Sequence, residues 1–144
     1  MIKKFSLSII SMIMLISINS AMAEVIFSCN TTHNKKIEVK DSGAYIQYKF
    51  GINLDKPELS LSVPREKAST GQWNGVGRDM EYEVTIPNGN TNYTVFFSVD
   101  KSSAEHTKTA GVRVLANDKY ITTVYCRSST LIQSLEGINL KETE

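Results

Sequence analysis

Alternation of apolar and polar residues with a period of two runs through most of the chain beyond residue 24. Tyr82, Val84 and Ile86 are separated by acidic or hydroxyl residues, and residues 25–29 and 93–99 show the same pattern. Successive side chains of a strand point to opposite faces, so this period indicates strands with one buried face. It predicts an all-β fold, a single-domain antiparallel β-sandwich or small barrel of seven to eight strands.

Turn residues separate these alternating runs. Asn88-Gly89 predicts a type I′ hairpin, because both central residues of that turn need a positive φ. Residues 117–119 predict a second hairpin near the C-terminus. The tail has a different pattern: Ser129 is expected to cap a short helix over residues 130–135, which Gly137 would end.

The first 23 residues have the composition of a cleaved signal peptide. Lys3 and Lys4 precede an apolar stretch over residues 5–18, and Ala21-Met22-Ala23 is a small-x-small cleavage site. Cleavage there leaves a single domain over residues 24–144 in the periplasm, with no membrane attachment. A retained N-terminal anchor is the alternative, although the apolar stretch is short for a membrane span.

The charge balance excludes some classes of partner. Loss of Lys3 and Lys4 from 16 basic residues leaves 14 against 15 acidic residues, a net charge of about −1. Nucleic-acid binding calls for a clustered basic surface, and so does binding to an anionic membrane surface. The sequence contains no long run of basic residues, so neither nucleic acid nor a membrane surface is an expected partner.

The two cysteines, Cys29 and Cys126, are predicted to form a disulfide. An exported protein with an even cysteine count normally pairs its thiols. The bridge would close a loop of 97 residues, worth about 4–5 kcal/mol in the chain-entropy model. A redox pair usually shows Cys-x-x-Cys, and a zinc site needs more ligands than these cysteines with the scattered His33 and His106. No metal and no cofactor are expected.

No catalytic signature stands out, and the chain is not expected to be an enzyme. Common nucleophile-elbow, zinc-protease and phosphate-loop motifs are absent from the sequence. His33 and His106 fall in polar loops, where a histidine is more often solvated than a general base. Glu81 and Glu83 share one face of a strand, and the pair is expected to be solvated rather than to flank a cleft.

The segment over residues 64–79 is the strongest candidate for recognition. It holds the only tryptophan, Trp73, together with Asn74, and Arg65 and Arg78 bracket it. Long connections in compact domains tend to be functional, and Trp and Arg dominate interface hot spots. The alternative is that Trp73 folds back to plug one end of the sandwich.

Two further features bear on partners. The polar loop over residues 100–109 carries Glu105 and His106, and we expect it to be either a solvated loop or a protruding binding loop. Tyr45, Phe96 and Tyr125 alternate against the inferred core face. That pattern predicts an outer face covered by a partner, by the tail helix or by a second copy in a homodimer.

Several short segments resemble a family of small secreted proteins of Gram-negative bacteria. They are Phe27-Ser28-Cys29, Tyr48-Lys49-Phe50-Gly51, Pro57-Glu58-Leu59, Val63-Pro64-Arg65, Gln72-Trp73-Asn74-Gly75-Val76-Gly77-Arg78 and Gly111-Val112-Arg113-Val114. In kind rather than in motif, the chain is similar to periplasmic lysozyme inhibitors and toxin-immunity proteins, which are small, disulfide-bonded β proteins. The resemblance implies an exported β protein without a defined activity.

The expected function is therefore non-catalytic protein binding. The partner would be a peptidoglycan hydrolase, or a toxin delivered to the periplasm, that this protein inhibits. The partner-binding candidates are Arg65, Trp73, Asn74, Arg78, Glu105 and His106. The alternative is a structural or adhesin-like β module that acts through self-association.

Overall fold

The structure is a computed structural model that describes residues 22–144, and nearly all of its regular structure is β. The predicted signal peptide, except for its last two residues, lies outside the described residues. The strands are β1 (Glu24–Asn30), β2 (Lys36–Asp41), β3 (Tyr45–Gly51), β4 (Leu59–Pro64), β5 (Ser69–Gln72), β6 (Asp79–Asn88), β7 (Thr91–Asp100), β8 (Lys108–Ala116), β9 (Lys119–Tyr125), β10 (Ile132–Gln133) and β11 (Lys141–Glu142).

The strands form two sheets, and the all-β prediction is confirmed. One sheet has the order β10-β1-β2-β3-β4 and the other has the order β11-β5-β6-β7-β8-β9. All pairings are antiparallel except the two-residue parallel contact between β11 and β5. The described residues form eleven strands rather than seven to eight, because β5, β10 and β11 are too short to show a period of two.

The core lies between the sheets and confirms the faces that the alternation predicts. Phe27 and Val39 from one sheet, and Val84 and Val112 from the other, are almost completely buried in one cluster. Tyr48 of β3 stacks on Tyr93 of β7 across the gap, with ring centroids 5.4 Å apart. The arrangement is a β-sandwich whose two outer faces each border solvent.

Both predicted hairpins form, but the first differs in its turn. Asn88 pairs with Thr91, so the two central residues are Gly89 and Asn90, and only Gly89 has a positive φ, at 60°. That is the conformation of a type II′ turn, which needs glycine only at its first central position. In the second hairpin Asn117 and Asp118 both have positive φ, as a type I′ turn requires.

The predicted C-terminal helix is wrong. Residues Ser128–Thr130 form a single turn of 3-10 helix, and the chain then runs extended. The edge of β1 provides the reason: Gln133 pairs with Phe27, and the Ser134 amide donates to the Ile26 carbonyl at 2.9 Å. Pairing with an existing sheet edge outweighs the weak local preference of a short helical segment.

The extended tail closes the space between the sheets. Leu135 is fully buried in the core cluster, whereas Ile132, which also lies within the predicted helix, is exposed. The side-chain Nε2 of Gln72 donates to the Leu135 carbonyl at 2.9 Å, and the backbone amide of Gly137 donates to Gln72 Oε1 at 2.8 Å. The tail therefore contacts both sheets.

The disulfide between Cys29 and Cys126 is confirmed. Their Cα atoms are 5.7 Å apart, and the bridge joins β1 to the residue that follows β9. The backbone supports the same connection, because the Arg127 amide donates to the Asn30 carbonyl at 2.8 Å. No helix within residues 22–144 is long and apolar enough to cross a membrane.

Candidate binding surface

The predicted recognition loop over residues 64–79 is not one loop. Residues Arg65–Lys67 form a turn of 3-10 helix and Ser69–Gln72 form β5, so only residues 73–78 connect β5 to β6. The polar composition of Ser69–Gln72 hid the strand, which buries Ser69 and Thr70 instead of apolar side chains.

Arg65 therefore lies apart from Trp73 and has its own contacts. Its guanidinium donates to Asp41 Oδ1 at 2.6 Å and to the Asn139 carbonyl at 2.7 Å. These contacts fasten the start of β5 to the β2–β3 turn and to the tail. The structure does not bring Arg65 together with the other predicted binding residues.

The connection over residues 73–78 is held by its own hydrogen bonds. Trp73 is half-buried against the core, and its indole Nε1 donates to the Val76 carbonyl at 3.0 Å. Asn74 Oδ1 accepts the Val76 amide at 3.0 Å. Gly75 and Gly77 have φ values of 89° and 102°, in a region that residues with a Cβ rarely adopt. Trp73 is thus neither fully buried as a plug of the sandwich nor fully exposed as a recognition residue.

The second predicted loop packs against the first. Arg78 makes a bidentate ion pair with Asp100, with Nη2–Oδ2 and Nε–Oδ1 distances of 2.6 and 3.1 Å. The Lys101 amide donates to the Arg78 carbonyl at 3.0 Å, and Lys101 Nζ lies 4.1 Å from the Trp73 ring centroid. Hydrogen bonds from Arg78 and then from Ser102 hold the pKa of Asp100 well below its usual range.

The remaining candidates lie in the same second loop, at its exposed side. His106 has a φ of 49°, and its amide donates to the Ser103 carbonyl at 3.2 Å. Glu105 and His106 are both exposed. The contact between this loop and the tryptophan is made by Lys101, which the sequence did not single out. His33 is exposed in the β1–β2 turn.

Beside Trp73 the outer face of the six-stranded sheet forms an open depression of about 290 Å³. Its lining residues are Gly71, Gln72, Trp73, Asn74, Asp79, Glu81 and Glu83. A Cβ at Gly71 would lie 2.8 Å from the Glu83 side chain, which pairs with it across β5 and β6, so a larger residue there would displace that side chain. Three carboxylates make the depression acidic.

Glu81 and Glu83 are not the solvated pair that the sequence predicted. Arg113, two strands away on β8, donates to both oxygens of Glu81 at 2.7 Å and to Glu83 at 3.3 Å. Its guanidinium carbon lies 3.9 Å from the Phe96 ring centroid. Tyr125 meets the same ring edge-on, with centroids 6.5 Å apart. The three residues Arg113, Glu81 and Glu83 form what we call the outer-face ion cluster.

The outward aromatics consequently differ from one another. Tyr45 and Tyr125 are about half exposed, as expected, whereas Phe96 is only 3% exposed. Within residues 22–144, Arg113 and Tyr125 cover Phe96, and the predicted tail helix does not form.

Within the outer-face ion cluster, the pKa of Glu83 is shifted. Burial, and then the neighbouring charge of Glu81, raise the pKa of Glu83, and Arg113 only partly opposes them. A carboxyl group in this position is easier to protonate than one in water. Glu83 lines both the depression beside Trp73 and a second depression of about 310 Å³. Arg113 lines only the second of these two.

Sequence reasoning missed Lys101, Gly71 and Arg113. Arg113 carried a signal, because it is the single charged residue between Val112 and Val114 in an apolar strand. An opposite charge on the same face two strands away is its natural partner. Lys101 and Gly71 carried none that distinguishes them from loop and strand residues in general.

Comparisons with protein-family models, curated proteins and solved structures found no match to this chain. Within residues 22–144 no group of three or more His, Cys, Asp or Glu side chains is arranged to hold a metal ion. What the surface offers a ligand is an aromatic edge, amide and carboxylate oxygens, and negative charge.

Proposed function

We propose that this chain is an exported, non-catalytic binding protein that blocks a cell-wall-degrading enzyme or a toxin delivered to the same compartment. Its recognition surface would be the Trp73 surface, which we define as Trp73, Asn74, Arg78, Lys101 and the adjoining acidic depression. The observation that carries the proposal is the convergence of two connecting loops on a half-buried tryptophan beside that depression.

Preorganisation supports a binding role for this surface. The Val76 carbonyl, the Asn74 side chain and the Arg78–Asp100 ion pair hold the connection in one conformation before any partner arrives. A surface that is ordered in the free protein loses less conformational entropy on association. Tryptophan and arginine at its centre are the residue types that most often dominate interface energies.

Charge supports the class of partner. Asp79, Glu81 and Glu83 face the depression, and Arg113, which pairs with the last two, offsets one of the three negative charges. An enzyme that degrades an acidic cell-wall polymer carries cationic groups around its substrate cleft, and complementary charge favours its association with an acidic surface. The predicted partner is therefore a basic hydrolase.

Inhibition and affinity measurements with Trp73→Ala test the proposal. We expect the wild-type protein to suppress a muramidase or amidase, and Trp73→Ala to weaken the complex more than tenfold, about 1.4 kcal/mol. Tyr45→Ala is the matched control, because it removes a half-exposed aromatic from the opposite outer face. Thermal unfolding of both variants separates lost binding from lost structure.

Two results would overturn this assignment. One is the absence of inhibition for a panel of cell-wall hydrolases, together with no partner recovered from a periplasmic extract. The other is a complex whose affinity is the same in wild type and in Trp73→Ala, which would place recognition elsewhere.

A second candidate is a module that acts through self-association. It is favoured by β9, an edge strand of the six-stranded sheet that exposes Tyr120, Ile121 and Tyr125. Exposed edges readily pair with other strands. Light scattering that shows a monomer at millimolar concentration would remove this candidate.

A further inference from the structure

The five residues that line a small pocket near the disulfide all carry side-chain N–H groups. We call it the donor pocket; it has a volume of about 160 Å³ and is lined by Asn30, Asn34, Lys35, Lys36 and Arg127. Each of these side chains carries N–H groups, and none of them is a carboxylate. Asn30 and Lys36 are partners in the β1–β2 ladder, so the pocket opens on the outer face of the five-stranded sheet.

The turn that forms one wall is rigid. Thr31 is fully buried, its amide donates to the Lys35 carbonyl at 2.7 Å, and its hydroxyl accepts the Lys35 amide at 3.0 Å. Asn34 sits at the sharpest point, with a φ of 61°. Thr31 also bridges Cys126, which is bonded to Cys29, so the wall is fixed to β9 as well as to β1.

Arg127 is oriented into this wall. Its amide donates to the Asn30 carbonyl at 2.8 Å, and its guanidinium Nη2 donates to Asn34 Oδ1 at 2.7 Å. That bond uses one N–H of Nη2, which leaves the N–H groups of Nη1 and Nε to donate to a ligand. Because Asn34 accepts through its oxygen, its own amide N–H groups remain available as donors.

The cationic groups of the pocket are only partly neutralised. Lys35 Nζ lies 2.7 Å from Glu58 Oε1 and is balanced. Within the described part of the chain, no carboxylate lies within ion-pair distance of Lys36 or Arg127. The residues that line this pocket thus include two positive charges and two amide groups without an ion-paired carboxylate.

We infer that the donor pocket binds a phosphoryl group. Lys36, Arg127 and the two asparagine amides supply more donors than the two oxygens of a carboxylate accommodate. A phosphoryl group presents three charged oxygens and matches charge-assisted donors from both arginine and lysine. The group can belong to free phosphate or to a lipid whose headgroup is a phosphate monoester, such as phosphatidic acid, since both present at least three terminal oxygens. This site is independent of the Trp73 surface, which lies on the other sheet.

Titration of the purified protein with inorganic phosphate, followed by amide chemical shifts, tests the inference. We expect shifts centred on Asn34, Lys36 and Arg127, with a dissociation constant that rises at least fivefold in Arg127→Gln and in Lys36→Gln. Lys49→Gln is the matched control, because Lys49 lies on the same outer face outside the pocket and should change the constant less than twofold. Acetate should bind more weakly than phosphate at the same ionic strength.

A second arm identifies the source of the phosphoryl group. Sedimentation with vesicles that contain phosphatidic acid, compared with pure phosphatidylcholine vesicles, shows whether a monoester headgroup is bound. Arg127-dependent binding to free phosphate or to the phosphatidic acid vesicles supports the site. The inference is overturned if neither free phosphate nor the anionic vesicles bind, or if Lys49→Gln weakens binding as much as Arg127→Gln. Trp73→Ala should leave phosphate binding unchanged, so failure here is separable from failure of the proposed function.

Discussion

The two outer faces of the sandwich follow the same alternating pattern and yet differ in what they bury. On the five-stranded sheet Tyr45, Ser60 and Ser62 are exposed to solvent. The outward Lys40 and Glu38 form a single ion-pair contact of 3.3 Å there. On the six-stranded sheet Phe96 is buried beneath Arg113, and Thr85 and Thr94 share a buried hydrogen bond of 2.8 Å. The first face is solvated, whereas the second is organised around its own small cluster.

This difference shows that an outward position in a strand does not determine burial by itself. A long side chain such as Arg113 covers an aromatic ring with its stem and guanidinium, and keeps its charge paired with Glu81 and Glu83. The carboxylates beside Trp73 are consequently held in fixed positions. An ordered outer face is better suited to selective recognition than a solvated one.

Phe96→Ala should produce the largest difference between the faces. Removal of this almost fully buried ring should lower the free energy of unfolding by about 3 kcal/mol. Tyr45→Ala, on the solvated face, should lower it by less than about 0.5 kcal/mol. Urea unfolding with the disulfide intact measures both. Equal losses in the two variants would show that Arg113 and Tyr125 do not bury Phe96 in solution.

Arg113→Met should give a smaller but still unequal effect. It leaves Glu81 and Glu83 half-buried without a counter-charge, and because the cluster is partly screened by solvent we expect a loss of about 1–2 kcal/mol. Lys40→Met, which removes the partner of Glu38 on the solvated face, should cost at most about 0.5 kcal/mol. A similar loss of unfolding free energy in Arg113→Met and Lys40→Met would show that the two outer faces do not differ in this way. The triple variant that also carries Glu81→Gln and Glu83→Gln should recover part of the stability.

The smallest expected effect is a change in pH dependence. Burial raises the pKa of Glu83 in the folded state, so the folded protein retains this proton to higher pH than the unfolded chain does. The wild type therefore loses stability relative to Glu83→Gln as pH rises through the folded pKa, and the difference vanishes below the unfolded pKa of about 4.3. Unfolding of both proteins from about pH 4 to about pH 7 tests this sign. A difference that grows toward acid would contradict it.

Much of the fold followed from the sequence because local and long-range requirements agree there. Both hairpins combine alternating strands with turn residues that tolerate positive φ. Cys29 lies on the inward face of β1, as predicted, and Cys126 directly follows β9. The Asn88-Gly89 turn was misplaced by one residue, since Asn90 extends the same turn-forming run.

The errors occur where tertiary pairing decides the conformation. The tail adopts an extended form because the edge of β1 is available to Gln133, which no local pattern reveals. Ser69–Gln72 joins a sheet through polar residues, which the alternating pattern does not reveal. The predicted recognition loop is therefore longer than the observed connection and wrongly includes Arg65. The contact of Lys101 with Trp73 depends on how two loops that are distant in the sequence pack together. The local sequence pattern does not predict that packing.

The tail has a consequence for the order in which the protein can fold. Leu135 fills the core, β10 completes one sheet and β11 the other, and the bridge from Cys29 waits for Cys126. A chain growing from its N-terminus therefore cannot close its core until nearly all of it has been synthesised, and its contacts of long sequence separation make that closure slow. During this interval the chain remains unfolded and its two cysteines remain unbridged.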